Sequence, residues 1–223
     1  MTKKPKSNVL CIADLHSPFT RKNYLEHCIE TKKKYKCTKI IFTGDILDNH
    51  AASYFETNPN GYSAGDELQQ AIDNLKPWIK AFPEAIITIG NHDRLIARKA
   101  FSSGLPKQWI KTYNEVLNAP KWRFETETII DKVLYFHGEG GADLRAAMLN
   151  RRQSIVIGHF HTKAEIIYNA SSIDLLFGMC VSSGIDDKSY AMEYAKFNVK
   201  KSIVACGVVL EGKIPIIIPM NLN

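Results

Sequence analysis

Nine side chains that can bind metal ions or transfer protons share one position in this sequence, directly after a short apolar run. Each run has the length and the branched residues of a buried strand, and a glycine often precedes the polar residues. Ligands of open α/β sheets collect at the carboxyl ends of strands, so we expect these side chains to converge on one crevice. In chain order they are Asp14, His16, Asp45, Asp48, Asn91, His92, His137, His159 and His161.

This set of carboxylate, imidazole and carboxamide groups has the chemistry of a site for two divalent metal ions. Imidazole and carboxylate ligands together suit borderline ions. Two ions about 3.5–4 Å apart can share a bridging ligand and stabilise attack on a phosphoryl group. A single histidine at a strand end, or a single aspartate after a glycine, is usually only a core or turn residue. Here five of the seven histidines follow the same pattern, and that repetition has no structural reason.

Alternating strands and helices are predicted for the first half of the chain. Three apolar runs have the character of buried strands, and they span 8–13, 39–43 and 85–89. Helical spacing predicts helices over 21–35, from 63, over 95–101 and from 106. Thr20 is the expected N-cap of the first helix, and Pro77 is expected to kink the second. The last two helices belong to a predicted helical insert at 94–122, which we expect to lie near a substrate pocket.

After residue 122 the pattern is mostly that of strands. They are predicted at 123–130, 132–138, 154–161, 164–170, 173–179, 205–212 and 213–220. One helix is expected at 142–151, and a hairpin turn at 211–213. A βαβ first half and a strand-rich second half predict an α/β fold with two packed sheets. We expect a single domain over 1–223, with a flexible segment at 1–7.

Composition excludes several classes of protein. No apolar run approaches the roughly 20 residues that span a membrane, so no membrane contact is expected. The amino-terminal residues lack the apolar segment of a signal peptide, which favours a cytoplasmic location. The five cysteines are irregularly spaced, as is typical of packed thiols rather than of a disulfide framework. A net charge of +6 slightly favours anionic ligands.

Five ordered blocks resemble the calcineurin-like metallophosphoesterase superfamily. They read DLH at 14–16, GDILD at 44–48, GNHD at 90–93, a histidine at 137, and GHFH at 158–161. The resemblance covers nearly the whole chain and implies two mixed β-sheets packed face to face and flanked by helices. It also implies a phosphoester hydrolase in which a hydroxide that bridges two metal ions attacks phosphorus directly.

The resemblance assigns a role to each polar residue at the strand ends. Manganese is the expected ion, with iron, zinc, nickel, cobalt and magnesium as alternatives. His92 would serve as general acid or transition-state stabiliser at the leaving-group oxygen, oriented by Asp48. The first ion would be held by Asp14, His16 and His161, the second by Asn91, His137 and His159, and both by Asp45.

One departure from the superfamily concerns the group that grips phosphate. Phosphoprotein phosphatases carry an arginine after the second block, where this chain has Asn49, which argues against a protein phosphatase. Arg94, Arg98 and His50 are the candidates to replace that arginine. Trp109 is a further candidate for substrate contact, because aromatic and cationic side chains are mixed in the segment 94–122. The alternative is that these aromatic side chains pack in the core.

The expected substrate is a small phosphorylated molecule, and a nucleoside or deoxynucleoside 5′-monophosphate is the first choice. A phosphodiesterase or nuclease acting on nucleic acid or a cyclic nucleotide is the alternative. A noncatalytic metal-bound scaffold for a protein partner is less favoured, because every metal position and His92 are retained. The sequence leaves open whether the chain forms a homodimer.

Overall fold

A computed structural model describes residues 7–54, 57–140, 143–189 and 200–221. Within these residues, eleven strands form two sheets whose outer faces carry helices. The strands are β1 (Asn8–Ile12), β2 (Lys39–Phe42), β3 (Ile86–Thr88), β4 (Arg123–Glu125), β5 (Glu127–Ile130), β6 (Val133–Phe136), β7 (Ser154–Ile157), β8 (Glu165–Ala170), β9 (Leu175–Cys180), β10 (Ala205–Leu210) and β11 (Ile214–Pro219). The helices are α1 (Tyr24–Lys34), α2 (Ala64–Ala81), α3 (Leu95–Ser102), α4 (Tyr113–Leu117) and α5 (Leu144–Arg151), with 3₁₀ turns at His50–Ala52 and Lys107–Trp109.

Both sheets are mixed, as the sequence predicts. The first has the order β11-β10-β1-β2-β3-β4, in which β1 to β4 are parallel and β10 is antiparallel to both neighbours. The second has the order β5-β6-β7-β9-β8, with three parallel inner strands and antiparallel strands at both edges. Parallel pairing therefore brings the carboxyl ends of β1, β2 and β3 to one edge, and those of β6 and β7 to one edge of the second sheet.

The two sheets pack face to face. Successive side chains of a strand point to opposite faces of its sheet. Val9 and Cys11 of β1 accordingly pack with Met179 of β9 between the sheets, where all three are buried. Leu10 and Ile12 point to the other face and pack beneath α1 and α2. The outer face of the second sheet is covered by α5. The predicted sandwich of two sheets between helices is confirmed.

The single strand predicted at 123–130 forms two separate strands in the structure. The segment 123–130 was expected to be continuous, but β4 ends at Glu125 in the first sheet and β5 begins at Glu127 in the second. Only Thr126 separates them, so the chain crosses between the sheets within a single alternating run. Alternation reports which residues are half-buried, but it does not report which sheet buries them.

Two helix starts differ from the predictions. The first helix begins after Asn23, which has a φ of 65°, while the Thr20 hydroxyl donates to the Leu15 carbonyl instead of capping a helix. The helix expected from Pro106 is a 3₁₀ turn followed by α4. A capping box on Thr112 starts α4, because its side chain and that of Glu115 satisfy each other's backbone N–H groups.

The helix predicted from Ser63 agrees better with the structure. Its N-cap accepts a hydrogen bond from the Asp66 N–H, and the helix runs on through Pro77 to Ala81. All five cysteines are buried free thiols, as expected. Most of the segment 1–7, expected to be flexible, lies outside the described residues. Within the described ranges, no helix has both the length and the apolar character needed to cross a bilayer.

Candidate metal centre

The strand ends hold their polar side chains on sharply turned backbone. Asp14, His16, Asp45 and His159 all have positive φ angles, between 27° and 66°. A non-glycine residue in this region typically costs about 1–2 kcal/mol. Four such residues at the ends of three strands show that the surrounding loops fix these conformations. Each of these residues contributes its side chain to the clusters of ligand atoms at the strand ends.

The first group of ligand atoms contains Asp14, His16 and His161. The His161 Nε2 lies 3.2 Å from Asp14 Oδ2 and 3.1 Å from His16 Nε2. The Asp48 carboxylate accepts from His16 Nδ1 at 2.6 Å, which leaves the Nε2 lone pair free for a metal ion. The Asp14 Oδ1 atom is buried without a hydrogen-bond partner among the described residues. A buried carboxylate oxygen in that state fits a cation ligand.

The second group contains Asn91, His137 and His159 around one imidazole nitrogen. The Thr43 carbonyl lies 2.8 Å from His137 Nδ1 and accepts its proton. The His137 Nε2 lies 2.9 Å from Asn91 Oδ1 and 3.2 Å from His159 Nδ1. The sheets thus hold this imidazole by its far nitrogen, and the near nitrogen faces the other ligand atoms.

Asp45 lies between the two groups. Its Oδ2 is 3.0 Å from His137 Nε2 and 3.9 Å from His16 Nε2, so one carboxylate oxygen adjoins both sets of ligands. Its Oδ1 accepts the His92 N–H at 2.8 Å. A Cβ atom on Gly90 would lie 2.1 Å from that oxygen, so only glycine permits this approach. The position is the one that a bridging ligand requires.

The charges of the centre are strongly coupled. Burial opposes ionisation of Asp45, but the neighbouring imidazole of His137 outweighs it and holds the pKa of Asp45 well below its usual range. Burial likewise opposes the charged form of His137, yet the Asp45 carboxylate raises the pKa of His137 to about 10. Burial lowers the pKa values of His16 and His159. A metal ion bound between these groups would take the place of a proton on His137.

His92 is held at three points beside the ligands. The Asp48 carbonyl accepts from His92 Nδ1 at 2.7 Å, and Asn49 Nδ2 donates to the His92 carbonyl at 3.0 Å. The third point is the N–H bond to Asp45. Burial lowers the pKa of His92, but the Asp45 and Asp48 carboxylates outweigh it and raise that pKa. A protonated imidazole with Nδ1 engaged can donate a proton from Nε2.

Asp48 orients His92 mainly through its backbone. The Asp48 carboxylate is 3.6 Å from His92 Nδ1 and much closer to His16. One residue therefore fixes a predicted metal ligand with its side chain and the predicted acid with its carbonyl. Its neighbour Asn49, which replaces the arginine of phosphoprotein phosphatases, fixes the His92 backbone.

Sequence reasoning missed Glu67, which supports this loop from α2. Its buried carboxylate accepts the N–H groups of His50 at 2.6 Å and Ala51 at 2.8 Å. Glu67 lies at helical spacing with the buried residues Ala71 and Leu75, so it continues the apolar face of the helix. An acid in an apolar stripe was the signal available in the sequence.

The Asp93 side chain joins two loops and does not cap α3. Its carboxylate accepts the Gly90 N–H at 2.9 Å and the Leu47 N–H at 3.1 Å, and Arg94 is the residue that precedes α3. Burial, reinforced by Asp45, raises the pKa of Asp93 to about 6. The side chain ties the loop after β2 to the loop after β3, so the two loops form one unit.

Three of the four residues predicted to contact the substrate already contact other parts of the chain. Arg94 forms an ion pair with Glu139, which joins the loops after β3 and β6. Arg98 lies over the Tyr54 ring, 5.0 Å from its centroid. His50 is turned toward its own loop, because its Nε2 accepts the Asn58 N–H at 3.2 Å.

The aromatic side chains of the helical insert divide into two sets. Trp122 is buried and Tyr113 stacks on Phe124 at 4.8 Å, so the core interpretation holds for these two. It is wrong for Trp109, which is 81% exposed, and for Phe101, which is 85% exposed. The exposed set is therefore the one available to a ligand.

The family of the chain follows from its sequence profile. The profile of calcineurin-like phosphoesterases matches residues 7–178, which include every ligand of both groups. The chain belongs to the calcineurin-like phosphoesterase family. Its chemistry is thus that of a metal-dependent phosphoester hydrolase. Its candidate metal sites include the clusters of Asp14, His16 and His161 and of Asp45, His137 and His159, and a third cluster, His16, Asp48 and His92, shares His16 with the first.

Solved structures that resemble this chain share little sequence with it. A metallophosphoesterase from Sphaerobacter thermophilus has a TM-score of 0.50 and 13% identity, over 96% of this chain and 88% of that chain. Vacuolar Protein Sorting 29 from Cryptosporidium parvum has a TM-score of 0.47 and 14% identity, over 96% and 98%. Yfce, a phosphoesterase from E. coli, has a TM-score of 0.43 and 10% identity, over 91% and 88%. A comparison with curated protein sequences finds no match.

Proposed function

We propose that this phosphoesterase is a phosphomonoesterase that releases phosphate from nucleotides, with nucleoside and deoxynucleoside 5′-monophosphates as its substrates. The observation that carries the proposal is the position of His92. It is bonded to Asp45 and Asp48 at the metal centre, Arg94 follows two residues later, and α3, which carries Arg98, begins at Leu95. The predicted proton donor, the candidate metal ligands beside it and two cationic side chains thus occur within one short segment of the chain.

Each ligand group can hold one ion. Asp14, His16 and His161 would hold the first, Asn91, His137 and His159 the second, and Asp45 both. When bound, two divalent ions neutralise phosphoryl oxygens and lower the pKa of water. Manganese is our proposed ion, because mixed imidazole and carboxylate ligands accept it.

The chain's own residues position the substrate and move the proton. His92 would donate the Nε2 proton to the ester oxygen that leaves, while its Nδ1–H stays bonded to the Asp48 carbonyl. Asp48 and Thr43 hold the far nitrogens of His16 and His137, so both ligands keep their orientation during turnover. The Arg94–Glu139 pair joins two of the loops that surround the reacting phosphate.

A panel of phosphoesters tests the proposal. Purified, Mn²⁺-loaded protein is mixed with the nucleoside 5′-monophosphates, bis-p-nitrophenyl phosphate or linear DNA, and the released phosphate and the cleaved diesters are measured. We expect fast phosphate release from the monophosphates and little attack on the diesters. Cleavage of DNA or of the diester with poor monoester turnover would contradict the proposal and identify a phosphodiesterase or nuclease. Absence of turnover with every phosphoester would favour a noncatalytic scaffold.

A further inference from the structure

A pocket lies along α3, immediately after His92 in the chain. Its volume is about 370 Å³, within the range of sites for small molecules. It is lined by Tyr54, Arg94, Ala97, Arg98, Phe101 and Ser102. All but one of these residues belong to α3 or directly precede it, and Tyr54 comes from the loop that follows Asp48. The walls therefore come from the two chain segments that also carry the predicted catalytic pair.

The helix presents an unusual stripe to this pocket. Arg94, Ala97, Arg98 and Phe101 have the spacing of one helical face, which in most helices packs on the core. Here Phe101 is 85% exposed, and the small side chain of Ala97 leaves room between the larger ones. An aromatic ring left open on such a face can accept a second flat ring.

Two guanidinium groups line the same pocket, and they differ in their partners. Arg94 is paired with Glu139. Within the part of the chain that the structure describes, Arg98 has no carboxylate partner, and its guanidinium lies against the Tyr54 ring. An arginine that lies over an aromatic ring can still donate its N–H groups to a ligand. The pocket therefore combines the open Phe101 ring with guanidinium donors that have no carboxylate partner among the described residues.

The dimensions relate the pocket to the metal centre. Helical rise places Arg98 about 6 Å and Phe101 about 10 Å along the axis from Arg94, which adjoins the loop of His92. A group bound at Phe101 would thus extend away from the reacting phosphate by about the length of a nucleoside.

We propose that this pocket binds the nucleoside part of the substrate, with the base stacked on Phe101 and with Arg98, which lies over the Tyr54 ring, donating hydrogen bonds to the base or sugar. The assignment rests on the proposed nucleotide phosphatase and adds the residues that select nucleotides. A purely anionic ligand would leave the exposed Phe101 ring unused. A purely apolar ligand would desolvate Arg98 without giving it an acceptor.

Two substrates that share a phosphoryl group but differ in the attached ring system test the assignment. We would measure kcat/KM of Mn²⁺-loaded protein for nucleoside 5′-monophosphates and for p-nitrophenyl phosphate. For Phe101→Ala and for Arg98→Ala, we expect about a tenfold loss with nucleotides and little change with p-nitrophenyl phosphate. Circular dichroism would check that each variant is folded.

Lys99→Ala is the matched control. Lys99 also lies over the Tyr54 ring, 4.9 Å from its centroid, and its loss removes the same charge from the same helix, but Lys99 does not line the pocket. We expect it to leave both substrates nearly unchanged. Tyr168→Ala is the aromatic control for Phe101→Ala. Tyr168 is 51% exposed, as is Tyr54, but it lies on β8 and does not line the pocket.

The outcomes separate this assignment from the proposed function. If wild type hydrolyses nucleotides well but Phe101→Ala and Arg98→Ala affect both substrates equally, the pocket assignment is wrong and the nucleotide phosphatase stands. An equal selective loss in Lys99→Ala would replace the pocket by general charge attraction and would also overturn the assignment. If wild type does not turn over nucleotides, the proposed function fails and the assignment falls with it.

Discussion

The metal centre and the α3 pocket lie next to each other but are built in opposite ways. Asp14 and Asp45 are 1% exposed, and their oxygens accept backbone N–H groups from other strand ends. In the pocket, Phe101 and Tyr54 are 85% and 51% exposed and lie on a short helix and a loop. The sheets therefore position the candidate metal ligands, while the proposed substrate pocket is built on elements outside the sheets.

The largest effect on turnover is expected from a substitution of Asp45, at the centre of the buried region. Asp45→Ala removes the carboxylate that adjoins both ligand groups and leaves the His137 and His16 imidazoles without a shared anion. We expect loss of both ions and a fall in turnover on the order of 10³-fold. Metal content by mass spectrometry and phosphate release are measured together. Asp73→Ala, an exposed aspartate on α2, is the control. Two tightly retained ions in Asp45→Ala would contradict the bridging role.

His92→Ala separates proton transfer from metal binding. Its imidazole is absent from both ligand groups, so metal content should stay near that of wild type. Loss of a positioned general acid lowers turnover by about 10²- to 10⁴-fold. The effect should shrink for p-nitrophenyl phosphate, because its leaving group needs little protonation. Unchanged turnover with nucleotides would remove the catalytic role.

Glu67→Gln tests whether the buried metal centre depends on a residue of α2 that supports the loop after Asp48. The amide retains the shape of the side chain but has one acceptor oxygen for the two N–H groups of His50 and Ala51. We expect about a tenfold fall in kcat with normal metal content, because Asp48 and Asn49 would hold His92 less firmly. A merely structural role would lower the melting temperature and leave kcat unchanged.

The smallest expected effect belongs to the exposed region outside the pocket. Trp109 lies on a 3₁₀ turn and is 81% exposed, so Trp109→Ala should change the free energy of unfolding by less than about 0.5 kcal/mol. We expect KM for nucleotides to rise about threefold relative to KM for p-nitrophenyl phosphate, since stacking at an open site is weak. An equal change for both substrates would remove Trp109 from the substrate site.

The convergence of the polar residues was predictable because each follows a strand. Parallel pairing brings the loops after β1 and β2 together in one sheet and those after β6 and β7 together in the other, and the face-to-face packing of the sheets joins the two sets. The crossing at Thr126 was not predictable, since alternation is the same in either sheet. A pattern of period two identifies a half-buried strand but not its partner.

Hydrogen bonds to the backbone were the other part that the sequence could not show. Glu67, Asp93 and the Asp48 carbonyl act on N–H groups or imidazoles far along the chain, and no residue type encodes those partners. The exposure of Phe101 was hidden for a related reason. Helical spacing defines a face, but only the surrounding loops decide whether that face meets the core or a pocket.

The pairing partners of β1 are synthesised at different times, one before and one after the last of the predicted ligands. β1 leads to Asp14 and pairs with β2 on one side and with β10, residues 205–210, on the other. Synthesis proceeds from the amino terminus. Every predicted ligand has therefore been synthesised by residue 161, while the strand beside β1 comes more than forty residues later. A nascent chain thus holds all the predicted donors, and the strands that carry them, before it holds β10, the second pairing partner of β1.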